Sequence, residues 1–264
     1  MKHLYGILFL ISFNASAQIN PGARFTAMAG TGVSLQDVWS IQQNQAGLAG
    51  MKKISIAVAY EKPFAGYELS TQSAILVLPL NKNVFGISFQ RYGFSSYTEQ
   101  RTAFTYARSF GNKLYAAMNF NHHLMKIEAY GTVQTYSVEA GLQYHPSEKV
   151  SIAAHVANPT RNGQASELIL AIPARLQVGA SYLISEKVLL AMAVEQGLNA
   201  QMDTKLGLEY KVIELLALRG GISANPFKHY AGFGIRYHKL KMDIAASSQP
   251  VLGYSPQIAL SYEF

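Results

Sequence analysis

The chain has 264 residues, 49% of them hydrophobic and only 14% charged, with 16 Tyr, 13 Phe, 21 Gly and no Cys. The lack of Cys excludes disulfide frameworks, thiol catalysis and thiolate metal sites, and nothing beyond the amino terminus approaches the ~18 consecutive apolar residues of a spanning helix. The formal charge of +7 comes from Lys and Arg scattered singly, many beside turns, so no basic run points to nucleic acid.

In chain order, residues 1–17 predict a removable secretory leader. Lys2 and His3 precede an apolar stretch, and Asn14-Ala15-Ser16-Ala17 places small residues at the cleavage positions. The stretch is too short to span as a helix, and no Cys follows it to take a lipid anchor. Residues 18–51 do not alternate. Small residues dominate them, with Asp37, Trp39 and Asn44 as conspicuous exceptions, so the segment is expected to pack as a compact plug inside a barrel.

Residues 52–264 repeat one plan of alternating stretches and polar connections, which predicts β-strands. Tight turns are expected at 81–83, 111–113, 146–149, 185–187, 212–214 and 238–239. Between them fall connections richer in Gly, Pro and aromatics, at 62–66, 92–97, 128–132, 158–167, 197–201, 225–228 and 247–255. Six turns and seven loops require fourteen strands, an even number that puts both termini on the periplasmic side. The fold class is therefore all-β, a 14-stranded transmembrane antiparallel β-barrel with a short amino-terminal hatch inside.

Successive strand residues face opposite sides. Tyr136, Val138, Ala140, Leu142 and Tyr144 are expected outward against Thr135, Ser137, Glu139, Gly141 and Gln143 inward. The same phase runs through Ile54, Ile56, Val58 and Tyr60, through Phe85, Ile87 and Phe89, and through Leu206, Leu208 and Tyr210. It leaves Glu61, Arg101, Glu139, His155, Arg175, Glu195, Lys205, Glu209, Arg219, Lys228, Arg236, Lys241 and Asp243 inward, since a basic residue against hydrocarbon costs about 2–4 kcal/mol. Mixed signs predict ion pairs across the lumen. The faces of the first hairpin stay open, because the residues approaching Pro79 are apolar on both sides. The last strand, 257–264, alternates Ile258, Leu260, Tyr262 and Phe264 with small or polar partners and ends on an aromatic, as outer-membrane barrels do.

Around the non-alternating segment the chain resembles the FadL-like outer-membrane superfamily, which includes long-chain fatty-acid transporters and the PorV/PorQ proteins of the type IX secretion system. The residues that carry the resemblance are Gly22-Ala23-Arg24-Phe25-Thr26-Ala27-Met28-Ala29-Gly30-Thr31-Gly32-Val33-Ser34, Asp37, and the box Asn44-Gln45-Ala46-Gly47-Leu48-Ala49. Gln45 stands where the family usually carries Pro. The resemblance implies an internal hatch containing Arg24, Asp37, Trp39, Asn44 and Gly47. The hatch would meet a lumen wall of Arg101, Glu139, Arg175, Glu195, Arg219 and Arg236. It also implies two functions: passage of a small hydrophobic or amphipathic compound along an apolar path beside the hatch, or an accessory barrel that docks a secretion-system protein. A purely structural barrel is the third reading.

No catalytic residue, metal ligand or cofactor is predicted. His122 and His123 are strand neighbours facing opposite sides, so they cannot ligate one metal together, and His155 has no Gly-x-Ser-x-Gly elbow beside it. The expected surroundings are outer-membrane lipid, with a small hydrophobic molecule or a secretion protein as partner and no nucleic acid.

Overall fold

The computed structural model describes residues 21–63, 68–160, 172–198, 200–249 and 253–264. The predicted leader, residues 18–20 and parts of the connections 62–66, 158–167, 197–201 and 247–255 lie outside the described residues.

Fourteen strands appear among the described residues: β1 (Ser55–Glu61), β2 (Ser70–Leu80), β3 (Asn83–Gly93), β4 (Tyr97–Phe110), β5 (Leu114–Ile127), β6 (Gly131–Ser147), β7 (Val150–Ala157), β8 (Arg175–Ser185), β9 (Val188–Gly197), β10 (Asp203–Ile213), β11 (Leu216–Ala224), β12 (Phe227–Tyr237), β13 (Leu240–Gln249) and β14 (Gly253–Glu263). They close into a barrel in chain order, and β14 pairs antiparallel with β1 from Ser55↔Glu263 to Glu61↔Gln257. Closure leaves no edge whose peptide groups hydrocarbon would strand. Ile56, Val58, Phe104, Phe120, Leu142 and Leu208 are exposed on the outer face, while their strand neighbours Ala57, Ala59, Ala103, Asn119, Gly141 and Glu209 are buried inside. A closed barrel with an apolar exterior belongs in the outer membrane.

Several strands run longer than expected. β4 and β5 have 14 residues and β6 has 17, against the ~9–11 that span a bilayer. The connections at 92–97 and 128–132 shrink accordingly, because an antiparallel ladder such as Tyr97↔Ile127 needs no lipid to persist. The turns expected at 146–149 and 212–214 are narrower, with β6 reaching Ser147 and β10 reaching Ile213 across register shifts that absorb an extra residue. At 81–82 the two-residue turn puts Asn81 at φ 58, a left-handed conformation that Asn accepts readily.

The first hairpin has a definite phase: Thr71, Ser73, Ile75 and Val77 are buried inward. Two of these are apolar because they touch the amino-terminal segment, which lies within the barrel as helix α1 (Ala23–Ala27) and three 3-10 turns, Gly32–Ser34, Val38–Gln42 and Gln45–Gly50. Phe25, Met28, Trp39, Ile41 and Leu48 from the segment pack on Ala57, Ala59, Val77, Val84, Ala107 and Ala245 of the wall. The lumen is thus partly apolar where it meets the segment and polar elsewhere. Most of the large side chains come from the segment and most of the small ones from the strands, which lets the two surfaces interlock.

Candidate functional site

The segment meets the strands in turn. Helix α1 lies against β11 to β14, Gly32–Ser34 against β7 to β9, Val38–Gln42 against β1 to β3, and Gln45–Gly50 against β3 to β6. Strand β10 is reached by Arg24 through Glu209. Gly22, at φ 82, enters α1 beneath the indole of Trp39, where any side chain would collide with the ring. Trp39 is 1% exposed.

Two polar clusters fix the segment, and a third lies on the wall beside it. In the first, Asp37 precedes the turn Val38–Gln42 and its Oδ1 accepts from the Trp39 amide at 3.2 Å, while Ser40 Oγ accepts from the Asp37 amide at 3.1 Å. The other Asp37 oxygen accepts from Arg24 Nη1 at 2.7 Å. Arg24 then grips Glu209 with two parallel bonds of 2.9 Å. Arg219 donates to Glu209 and to Asp243, each at 2.6 Å. The result is a chain of alternating sign, Asp37, Arg24, Glu209, Arg219, Asp243. Burial works against the Arg24 cation, but the neighbouring Glu209 and Asp37 carboxylates outweigh it, so its pKa is raised above the ordinary arginine value.

The second cluster centres on the buried carboxylate of Glu139. It receives Asn121 Nδ2 at 3.1 Å and Asn119 Nδ2 at 3.4 Å, with His155 Nε2 at 3.3 Å, Arg101 at 3.5 Å and the amide of Gln45. Gln42 accepts from Arg101. So many partners are what a buried carboxylate requires. Beside it, Asn44 donates to Val33 O at 2.8 Å and Leu142 O at 3.2 Å, and its Oδ1 accepts from the Ala46 amide at 3.1 Å. Gln143 reaches the carbonyls of Val33 and Leu35, both at 3.0 Å.

The third cluster, Arg175, Glu195 and Lys205, pairs at 3.4 and 2.7 Å. It borders a cavity of about 160 Å³ also lined by Glu61, Lys228 and Tyr230. These residues lie toward the strand ends that carry the longer connections, so the cavity stands on that side of the segment. An apolar path beside the segment was the sequence expectation. The described cavity is instead polar and charged, since the apolar inward residues are spent on packing the segment itself.

No protein-family model matches this sequence, and no curated protein does either. Solved structures do. The CymD monoaromatic hydrocarbon channel superposes with TM-score 0.73 at 12% identity over 95% of this chain and 99% of that one. The Pseudomonas putida toluene transporter TodX gives 0.69 at 12% over 92% and 97%. A Pseudomonas aeruginosa FadL homologue gives 0.66 at 12% over 92% and 98%. The chain shares their barrel fold. At such identities the likeness is one of architecture, and the side chains of the site have to be read from this chain alone.

The structure brings Arg24, Asp37, Trp39, Asn44 and Gly47 together in the internal segment, where a side chain on Gly47 would strike Leu35 O and Ser40. Arg101 and Glu139 pair with each other and contact the segment, through Gln42 and Gln45. Arg175 and Glu195 form a pair facing the cavity, and Arg219 is linked to the segment through Glu209. Arg236 is a correction. It keeps the inward phase of β12 but is exposed next to the turn at 238–239, beyond the segment, and forms no ion pair among the described residues. Sequence reasoning leaves Gln42 unmarked and names Gln45 and Gln143 without a bonding role, because an uncharged amide does not announce the partner it will reach. Gly141 carried a signal that went unused: an inward glycine in a wall of larger residues marks where Asn44 approaches.

Proposed function

We propose that this protein passes a small amphipathic compound across the outer membrane, with residues 18–51 as a hatch and both termini on the periplasmic side. The observation that carries the reading is a barrel filled by one separable segment, held to the wall by a few ion-paired clusters, with a polar cavity above it. Fold likeness to hydrocarbon channels supports transport. The charged lining favours a compound with a polar head over a bare hydrocarbon, because an apolar molecule gains little by displacing ordered water from charged groups.

Native mass spectrometry of the full-length protein, extracted gently from its own membranes, tests this. A retained small mass without protein partners is the expected result. A stoichiometric protein partner would instead favour an accessory barrel of the PorV/PorQ kind, and an empty monomer would count against both.

A further inference from the structure

The outer wall of β3 to β6 carries a second polar site, separate from the lumen. Register aligns its outward residues in rows. Ile87, Phe104, Phe120 and Val138 form an apolar row, and Phe89, Thr102, His122 and Tyr136 form the next toward the longer connections. In the latter, the His122 and Tyr136 rings lie 5.1 Å apart and Tyr136 stacks on Phe120 at 5.6 Å, as aromatics at a membrane interface do. The following rows turn mostly polar, with Arg91, Gln100 and Gln134 around Leu124, then Thr98 and Lys126.

Arg91, Gln100 and Lys126, with Ser95 and Ser96 from the short connection at 94–96, line a groove of about 430 Å³. Its one carboxylate, Glu128, accepts from Ser96 Oγ at 2.6 Å. Inward cations such as Arg24, Arg101, Arg175, Lys205 and Arg219 are all ion-paired. Arg91 and Lys126 form no ion pair among the described residues. Two cations without an ion pair thus sit one and two rows above an interfacial aromatic row, on the outer face of the barrel.

We propose that this groove binds the phosphate of a phosphorylated lipid headgroup in the leaflet at the loop end of the barrel. Arg91 offers a planar fork of donors to the phosphate oxygens and Lys126 a second positive charge, with Ser95 and Gln100 completing the polar lining. Gln100 and Lys126 lie on the 14-residue strands β4 and β5, near the ends that carry the connections at 94–96 and 128–130, and Arg91 lies beside Gln100 at the same end of β3. Acyl chains would then run down the apolar rows below.

The test is titration of the full-length, delipidated protein in detergent with bis-phosphorylated lipid A, with its dephosphorylated form, and with inorganic phosphate alone. Lipid A should bind the wild type and the dephosphorylated form should not. The Arg91→Ala/Lys126→Ala variant should bind about thirtyfold more weakly, the loss expected when two basic groups are removed at a membrane surface. Arg91→Lys/Lys126→Arg should retain binding, and Lys113→Ala/Lys149→Ala, altered at the opposite barrel end, should match the wild type. Equal binding of dephosphorylated lipid, unchanged binding by the double alanine variant, or saturation by inorganic phosphate alone would each overturn the proposal. The wild-type comparison stands even if a variant fails to fold.

Discussion

Replacing Arg24 with Ala would leave Asp37 and Glu209 facing each other in a buried space with one cation, Arg219, between three carboxylates. Breaking a buried pair in this way costs about 3–5 kcal/mol. Because the clusters hold a segment and not the barrel ladder, the loss should appear as freeing of the segment. We expect Arg24→Ala to make residues 21–51 sensitive to limited proteolysis and to raise single-channel conductance, while the heat-dependent gel shift of the folded barrel is unchanged. Gly141→Leu should act similarly from the wall side, since the new side chain would occupy the place of Asn44; protection of the segment from protease should fall in that variant too. Gln45 illustrates what one residue type adds. It occupies the first position of a 3-10 turn, where a proline would fit, but its amide also reaches Glu139 and the Ile41 carbonyl, bonds that proline could not make.

Each strand behaves as two half-strands with different solvents. Leu208 faces hydrocarbon and its neighbour Glu209 is buried against Arg24 and Arg219. Leu208→Arg should therefore destabilise the barrel by about 2–4 kcal/mol in lipid, measured by reversible urea unfolding in vesicles, whereas the same change in detergent micelles should cost less. This two-sided chemistry is why so much of the barrel was legible in the sequence. Strands such as β1, β3, β8 and β10 alternate cleanly because lipid lies on one side and polar or small residues on the other. Legibility failed at β2, where the segment presents its own apolar surface and makes Ile75 and Val77 suitable for the inside. It failed again at Arg236, because alternation reports the face of a strand but not the height along it.

For the molecule as a whole, deleting residues 18–25 removes Arg24 and most of α1 without touching a strand. Uptake of an amphipathic probe into vesicles should rise, and unchanged uptake would sink the gating role of this stretch. The anchoring pattern was only half visible in advance. Charged residues announced themselves on the inward rows, but their partners were set by a segment whose path through the lumen no periodicity encodes. That path touches all fourteen strands, from β1 beside the turn Val38–Gln42 to β14 beside α1. A segment that precedes every strand therefore has no complete binding surface until β14 has paired with β1. Its burial is complete only at barrel closure, so order along the chain and order of burial are reversed. A chain truncated after β11 should leave residues 21–51 open to protease even if its remaining strands are paired, which would make protection of this segment a reporter of finished assembly.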